Sequence, residues 1–490
     1  MKNNYDCEVL IIGSGAGGST IAETLSKHGM GVLMVEEGPN TNIENKIETA
    51  ADSFSHQWRS GGLNAALGDP IISYAEGRCV GGGTEINSAI MQSPPQELIE
   101  SWEKKYSIEN FNSKEINNYV DKALKRVNAC YTKPPYGKPS DVLKIAAKNL
   151  NWEIKELKRA QKGVIDINPF LSGTKEGGKQ SMSVSLIDES IKNGMKLLSN
   201  CRVSKIITKK NKAIHVEAIL SSDQNRKPII IKAKYIFISC GAIYTPALLR
   251  KSRLSNQAGN SLQMHPTIKV IAKFKEPLFA EKSYVPLYAI TEFMPEIRIG
   301  GSNFTPGIFA MSLAEDWPNR KNFIKEYDHF GIYYTMVRGT GKGKIRLSPI
   351  FNDPIVSYQL SDENWNNLSK GTEYLTEAMF AAGATKVIPS IQSHQGWNTF
   401  KKMRDEFQLN GLPKRESYLS SVHLFGSCPI GENKKLNKEI CVANSYGKLN
   451  NYENIYLADA SIIPEALGVN PQATVMGLSY RVADYFLNSI

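Results

Sequence analysis

The chain lacks any apolar run near the roughly 20 residues needed to cross a bilayer. It also lacks a compact basic block, although 59 Lys and Arg against 48 Asp and Glu leave a net charge of +11. Dispersed positive charge describes a mildly basic protein rather than a nucleic-acid binder, and leaves peripheral contact with an anionic membrane open. Cysteine is sparse and odd in number: Cys7, Cys79, Cys130, Cys201, Cys240, Cys428 and Cys441 are seven, with no CxxC pair. That argues against a disulfide framework and a zinc site, so no metal is expected, and free thiols point to the cytoplasm. Histidines also number seven, with none between His56 and His215. No repeat or low-complexity segment is present, and no secretory leader is expected ahead of an apolar strand that begins at Cys7.

What is present suits a large globular core. At 490 residues, with 41% apolar and 22% charged residues, two or three domains are expected. The first forty residues organise the rest. Residues 6–12 form a short apolar strand that stops at Gly13-Ser14-Gly15-Ala16-Gly17-Gly18. A helical pattern follows, with Ile21, Ala22 and Leu25 on one face, then a second strand over 30–35 that ends at Glu36. Strand, glycine turn, helix, strand and acid is the order of a dinucleotide site. Gly13 permits the turn, Gly15 admits a pyrophosphate and Gly18 lets helix and strand pack closely. The helix N-terminus offers unpaired N–H groups to the phosphates. Glu36 can accept from both ribose hydroxyls and would repel a 2′-phosphate, which disfavours NADP. The motif alone does not separate FAD from NAD.

Further along, residues 40–75 read as loop. Gly81-Gly82-Gly83 before a short helical pattern suggests backbone passing close to a ligand, with a plain surface turn as the alternative. Residues 96–160 read as helical, with Trp102 in the core and a proline-rich loop over 131–139. Residues 186–198 show a helical pattern and 201–207 a strand; 213–220 and 228–233 form a pair of strands. A buried strand over 235–239 meets Gly241 and a helix, a second junction of the nucleotide-binding kind. Residues 266–400 turn to short strands such as 331–337 and 344–347, with a long amphipathic helix over 361–382. The last seventy residues return to the α/β character of the N-terminus, with a strand over 454–459, a loop, and a helix opening at Pro471.

Taken together, residues 13–18, 36–39, 78–87, 239–249, 423–431 and 454–474 resemble the glucose–methanol–choline (GMC) oxidoreductases, FAD-dependent enzymes of alcohol oxidation. The Gly468-Val469-Asn470-Pro471 wording is similar to the branch of cholesterol oxidases and long-chain alcohol oxidases, pointing to a bulky apolar alcohol. The resemblance implies an α/β fold: a discontinuous Rossmann-like FAD-binding domain (1–95, 161–265, 421–490) with an inserted α+β substrate domain on an antiparallel sheet (96–160, 266–420). It also implies that Gly13, Gly15, Gly18 and Glu36 hold the ADP half of FAD and that Val203 contacts the adenine. Gly82, Gly83 and Asn87 would lie along the ribityl and flavin. Asp459 and Ala460 would present backbone to the pyrophosphate, and Pro471 and Gln472 would sit at the pyrimidine edge. His423 and Asn470 would be the catalytic pair. Some relatives attach FAD through a histidine before the paired glycines; its absence here implies non-covalent FAD.

The chemistry suits those residues. Alcohol oxidation needs a base for the hydroxyl proton, and histidine titrates nearest neutrality, so His423 fits the base. The flavin takes the hydride, and oxygen or another acceptor reoxidises it. Asn470 can donate to the substrate oxygen as negative charge develops. His265 lies in a family-like phrase but reads as structural, and Cys428 as packing. A lyase or decarboxylase on the same scaffold, or a flavin-binding protein without turnover, are the competing classes. Oligomeric state is not legible.

Overall fold

The computed structural model describes residues 3–41, 47, 49–162, 178–222, 225–432 and 440–490. Its centre is the strand Asn3–Ile12, whose Val9, Leu10, Ile11 and Ile12 are all buried, as expected of a parallel strand covered on both faces. It pairs in parallel with Val32–Val35 on one side and with Asn225–Ile238 on the other. Lys196–Leu198 extends the sheet beyond Val32–Val35. The helix Ala16–Lys27 packs Ile21, Ala22 and Leu25 against it.

Asn225–Ile238 performs two tasks. Its first half pairs antiparallel with Lys212–Ser222, which continues to Cys201–Lys209; its last residues pair in parallel with Ile455–Leu457. The two strands expected over 228–233 and 235–239 are therefore one. No glycine interrupts them, and pairing on both sides keeps the chain extended through Lys232 and Lys234. The expected helix over 186–198 is shorter. The α-helix Asp188–Lys192 ends at Gly194, whose φ of +92° only glycine adopts cheaply, and the chain enters Lys196–Leu198.

The second sheet is antiparallel apart from one parallel pair. Its order is Asn64–Ala66, Ile72–Tyr74, Leu419–Ser421, Thr267–Phe274, Phe330–Val337, Ile297–Gly301, Tyr288–Ile290 and Ile154–Glu156, with Ala384–Pro389 also on Thr267–Phe274. The helix Asp362–Ala381, capped by Ser361 Oγ accepting from Asn364 N–H, lays Leu375, Ala378 and Met379 across it. Residues 40–75, expected as loop, contribute two of its strands and the helix Ala50–His56, closed by a Thr49–Asp52 capping box.

The packing of 96–160 divides. Leu98, Ile99, Trp102, Ile116 and Val120 join the core of the first sheet, with Ser113–Arg126 lying beside the C-terminal helix Gln472–Ser489 and Gln96–Lys105 packed on Ser113–Arg126. Gly477 makes that contact close: a Cβ there would stand 3.0 Å from Val120 Cγ2. Lys138–Leu150 instead packs on the second sheet through Val142, Leu143 and Ala146. No helix among the described residues is long and apolar enough to cross a membrane.

Candidate active site

The two sheets meet around a cavity of about 710 Å³. Every residue expected at the site lines it except Gly18. Gly18 sits behind, where a Cβ would be 2.0 Å from Gly13 O, so its role is the packing of helix on turn. Gly13 has φ +103° and passes so near Ser239 O that a Cβ would stand 2.2 Å away. Gly15 is the N-cap of Ala16–Lys27, has no side-chain cap, and faces open space. Sequence reasoning missed Gly17, where a Cβ would fall 1.9 Å from Ala458 O. The turn therefore has a bare backbone face with uncapped N–H groups, a cradle for a pyrophosphate.

Glu36 lines the same end. Its Oε2 accepts from Ser14 N–H (3.0 Å) and Ser14 Oγ (2.7 Å), and its Oε1 from Gly38 N–H (2.9 Å). Burial raises its pKa, and these bonds oppose the rise. Val203 lines the cavity at a β-bulge between Cys201–Lys209 and its neighbour. Beside Glu36 stands a cluster around Glu37 that no sequence signal foretold. Burial pushes the Glu37 carboxyl up, but Arg59, Arg202 and Arg78 outweigh it and bring it to about 2.

Gly82, with φ +57°, stands against the first turn: a Cβ there would be 3.0 Å from Gly15 Cα. Gly83 opens the short helix Gly83–Ile86 and faces open space. Asn87 follows, its Nδ2 donating to Gln472 Oε1 at 2.7 Å and its Oδ1 accepting from Ala89 N–H at 2.9 Å. Asp459 spends its side chain inward, accepting from Gly241 N–H, Thr245 Oγ1 and Ser461 N–H. The backbone of Asp459 and Ala460 is left at the cavity, beside Pro471 and the uncapped start of Gln472–Ser489.

His423 and Asn470 come together here, with Asn470 Nδ2 3.2 Å from His423 Nε2. Asn470 Oδ1 accepts from Arg298 Nη1 at 2.8 Å, and the same nitrogen donates to Gln92 Oε1 at 2.6 Å. Arg298 is buried, its Nε and Nη2 have no partner, and no carboxylate pairs with it among the described residues. On the other side His265 Nδ1 lies 3.0 Å from His423 Nδ1, while His265 Nε2 accepts from Gly468 N–H at 2.8 Å. The expectation for His265 was purely structural; the fold puts it in direct contact with His423. Burial, and then the Arg298 charge, lower the His423 pKa to about 3, and burial lowers His265 as well. Both rings are neutral. Cys428 is buried, and burial pushes its thiol up, which suits packing.

These contacts supply more donors than acceptors. If His265 takes the Gly468 proton, its own proton sits on Nδ1 and points at His423 Nδ1. His423 then carries its proton on Nε2, facing the Asn470 amide, whose orientation Arg298 fixes. If His423 instead keeps Nε2 bare, His265 Nε2–H faces Gly468 N–H. In the first arrangement the missing acceptor lies between His423 and Asn470, at the cavity, where a ligand oxygen can supply it; in the second it lies between His265 and Gly468, neither of which lines the cavity.

The opposite wall is the second sheet. Thr267 and Lys269 face the cavity from one strand, with their register partners Met336 and Tyr334 from the next. Among the described residues no cluster of His, Cys, Asp and Glu has metal-binding geometry.

Such a fold and cradle define a dinucleotide-binding protein with a second, largely antiparallel sheet across the cavity. Comparison makes the class specific: profiles of the N- and C-terminal GMC oxidoreductase regions match residues 8–267 and 340–479. The chain is 45% identical over 484 residues to an uncharacterised GMC-type oxidoreductase of Sinorhizobium fredii, covering 99% of this chain and 95% of the relative. It is 25% identical over 511 residues to long-chain-alcohol oxidase FAO4A of Arabidopsis thaliana, covering 97% and 68% respectively. Formate oxidase from Aspergillus oryzae RIB40 superposes with a TM-score of 0.72 at 12% identity, over 100% of this chain and 99% of that one. The chain belongs to the GMC oxidoreductase family, and FAD is its cofactor. As an oxidoreductase of that family it takes a small-molecule substrate and an electron acceptor.

Proposed function

We propose that the protein oxidises an alcohol CH–OH to a carbonyl, with His423 and Asn470 holding the reacting oxygen. The observation that carries the proposal is the 3.2 Å approach of the Asn470 amide to His423 Nε2 at the cavity that the glycine turns also line. The alcohol loses a proton from oxygen and a hydride from carbon. Bound FAD supplies, at flavin N5, the acceptor for that hydride. His423 receives the proton at Nε2 in the tautomer that keeps Nε2 bare and carries its own proton on Nδ1 toward His265, and the Asn470 N–H donates to the oxygen as negative charge grows. Oxygen or another acceptor then removes the two electrons. Residues 1–95, 161–265 and 421–490 hold the cofactor, with 96–127 packed on their side, and the remainder of 96–160 with 266–420 shapes the substrate compartment. The cofactor is held without a covalent link, because no histidine precedes Gly81–Gly83 where attachment would occur, and the free cysteines favour the cytoplasm.

Anaerobic stopped-flow mixing with a panel of alcohols tests this. A substrate bleaches the flavin, and His423→Ala slows bleaching about 10²–10⁴-fold with FAD still bound. His423→Ala combined with Asn470→Ala should cost less than the product of the single losses, because both groups act on one oxygen. A flavin that no alcohol reduces would move the protein to the lyase or non-turnover class. The name of the plant relative favours the apolar, long-chain substrate class; the cavity wall opposes it.

A further inference from the structure

We propose that the substrate is an alcohol bearing an oxyanion, a carboxylate or a phosphate, and that Lys269 holds that group. The proposal rests on the alcohol-oxidation reading and names its substrate class. Side chains alternate along Thr267–Phe274, so Thr267 and Lys269 share the cavity face. Thr267 marks the reacting end: it pairs with Ser420, and its Oγ1 donates to the carbonyl of His265 at 3.1 Å. Lys269 lies two residues farther out, about 7 Å along the strand.

Among the described residues the Lys269 ammonium has no hydrogen bond and no ion pair. Its one electrostatic neighbour is Glu315, whose carboxylate is engaged by Arg320 Nη1 at 3.1 Å and by Ser390. Arg320 is itself buried. Arg320, behind the cavity lining, engages the Glu315 carboxylate, so Glu315 offsets the Lys269 charge only in part. Burial pushes Glu315 up to about 7 against the pull of Arg320, which weakens that offset near neutrality. Burial also lowers Lys269 below its usual range, and the pull of Glu315 does not make up for it. The alkyl tail of an apolar alcohol would press hydrocarbon on this group and leave it stripped of water; an oxyanion would pair with it. Tyr334, the register partner of Lys269, and Tyr418 also line the cavity.

The test uses the full-length protein with FAD bound. Flavin reduction is measured anaerobically with ω-hydroxycarboxylates, ω-hydroxyalkyl phosphates and neutral alcohols of matched length. In parallel, carboxylates and alkyl phosphates without a hydroxyl are titrated against the flavin spectrum. Wild type should prefer one anionic series by about ten- to a hundredfold, which also tells carboxylate from phosphate. Lys269→Met should abolish the preference and Lys269→Arg should retain most of it. Equal or faster reduction by neutral alcohols in wild type, or an unchanged preference in Lys269→Met, overturns the proposal. If no alcohol reduces the flavin, alcohol oxidation fails, and the titration still decides: anions that bind wild type but not Lys269→Met support the site, while equal or absent binding refutes it. Should Lys269→Met not retain FAD, Glu315→Gln replaces it; removal of the neighbouring negative charge should tighten anion binding severalfold, and unchanged affinity refutes the proposal.

Discussion

Asn470→Asp is the substitution that separates the two demands placed on the His423 pair. It exchanges an amide for a carboxylate of the same shape. Arg298, buried and without a carboxylate, would gain an ionic partner in place of the neutral amide to which it now donates. The oxygen replacing Nδ2 would accept from His423 Nε2–H at the present 3.2 Å separation, supplying the missing acceptor. A charge-assisted bond exceeds a neutral one by about 1–2 kcal/mol. At about 2.1 cal/mol/K per residue, this chain has an unfolding entropy near 1 kcal/mol/K, so Tm should rise by roughly 1–2 °C. Catalysis should move the opposite way. The carboxylate locks a proton on Nε2 and raises the His423 pKa from about 3, so the base is occupied and the donor to the alkoxide is gone. Anaerobic flavin reduction should slow about 10²–10⁴-fold with FAD retained. Calorimetry and stopped-flow absorbance on the holoprotein measure both. Reduction within tenfold of wild type, or a Tm several degrees lower, would refute the proton inventory drawn for this pair.

Because burial holds His423 near 3 in the fold while it takes a proton below about 6.5 when unfolded, its contribution falls on acidification from about 6.5 toward 3, and His265, also lowered by burial, acts in the same direction. His423 should remove about 1.4 kcal/mol per pH unit once well below 6.5, read as a falling denaturation midpoint; a midpoint flat from pH 6.5 to 4 contradicts its burial as a neutral ring. Over the same range flavin reduction should show no acid limb near 6.5 from His423. Glu36→Ala should weaken FAD about ten- to a hundredfold, measured by apoprotein titration, and leave reduction of the FAD-loaded fraction unchanged. Gly17→Ala places a methyl against Ala458 O and should lower both Tm and FAD occupancy, whereas Gly15→Ala, which meets no protein atom, should lower FAD occupancy alone. Acid precipitation should release all the flavin colour to the supernatant; colour in the pellet would establish a covalent link.

The dinucleotide cradle was legible because it is local. Gly13, Gly15, Gly18 and Glu36 belong to one strand–turn–helix–strand unit, with Glu36 bonding back to Ser14, and consecutive sequence encodes such geometry directly; the close approach of Gly13 to Ser239 was not part of that signal. The buried strand Asn3–Ile12 and the helix Asp362–Ala381 were readable for the same reason, since their periodicity carries their environment. Lys196–Leu198 was not. Its residues continue a helical pattern, and only pairing with Leu33–Val35 makes them a strand. The substrate side depended on tertiary structure throughout. Asn87 meets Gln472 across 385 residues, Arg298 meets Asn470 across 172, and His265 meets His423 across 158. No spacing rule foretells which polar side chains a fold will leave facing one another. Lys269 makes the point most sharply. On an alternating strand a lysine ordinarily marks the solvent face, and it became a cavity wall because the segment carrying Glu315 and the loop at Ser390 close over that side of the sheet. Sequence determined the first nucleotide-binding turn because it is built from neighbours in the chain; tertiary structure decided what lies opposite, because charge and burial there belong to segments joined only by the fold.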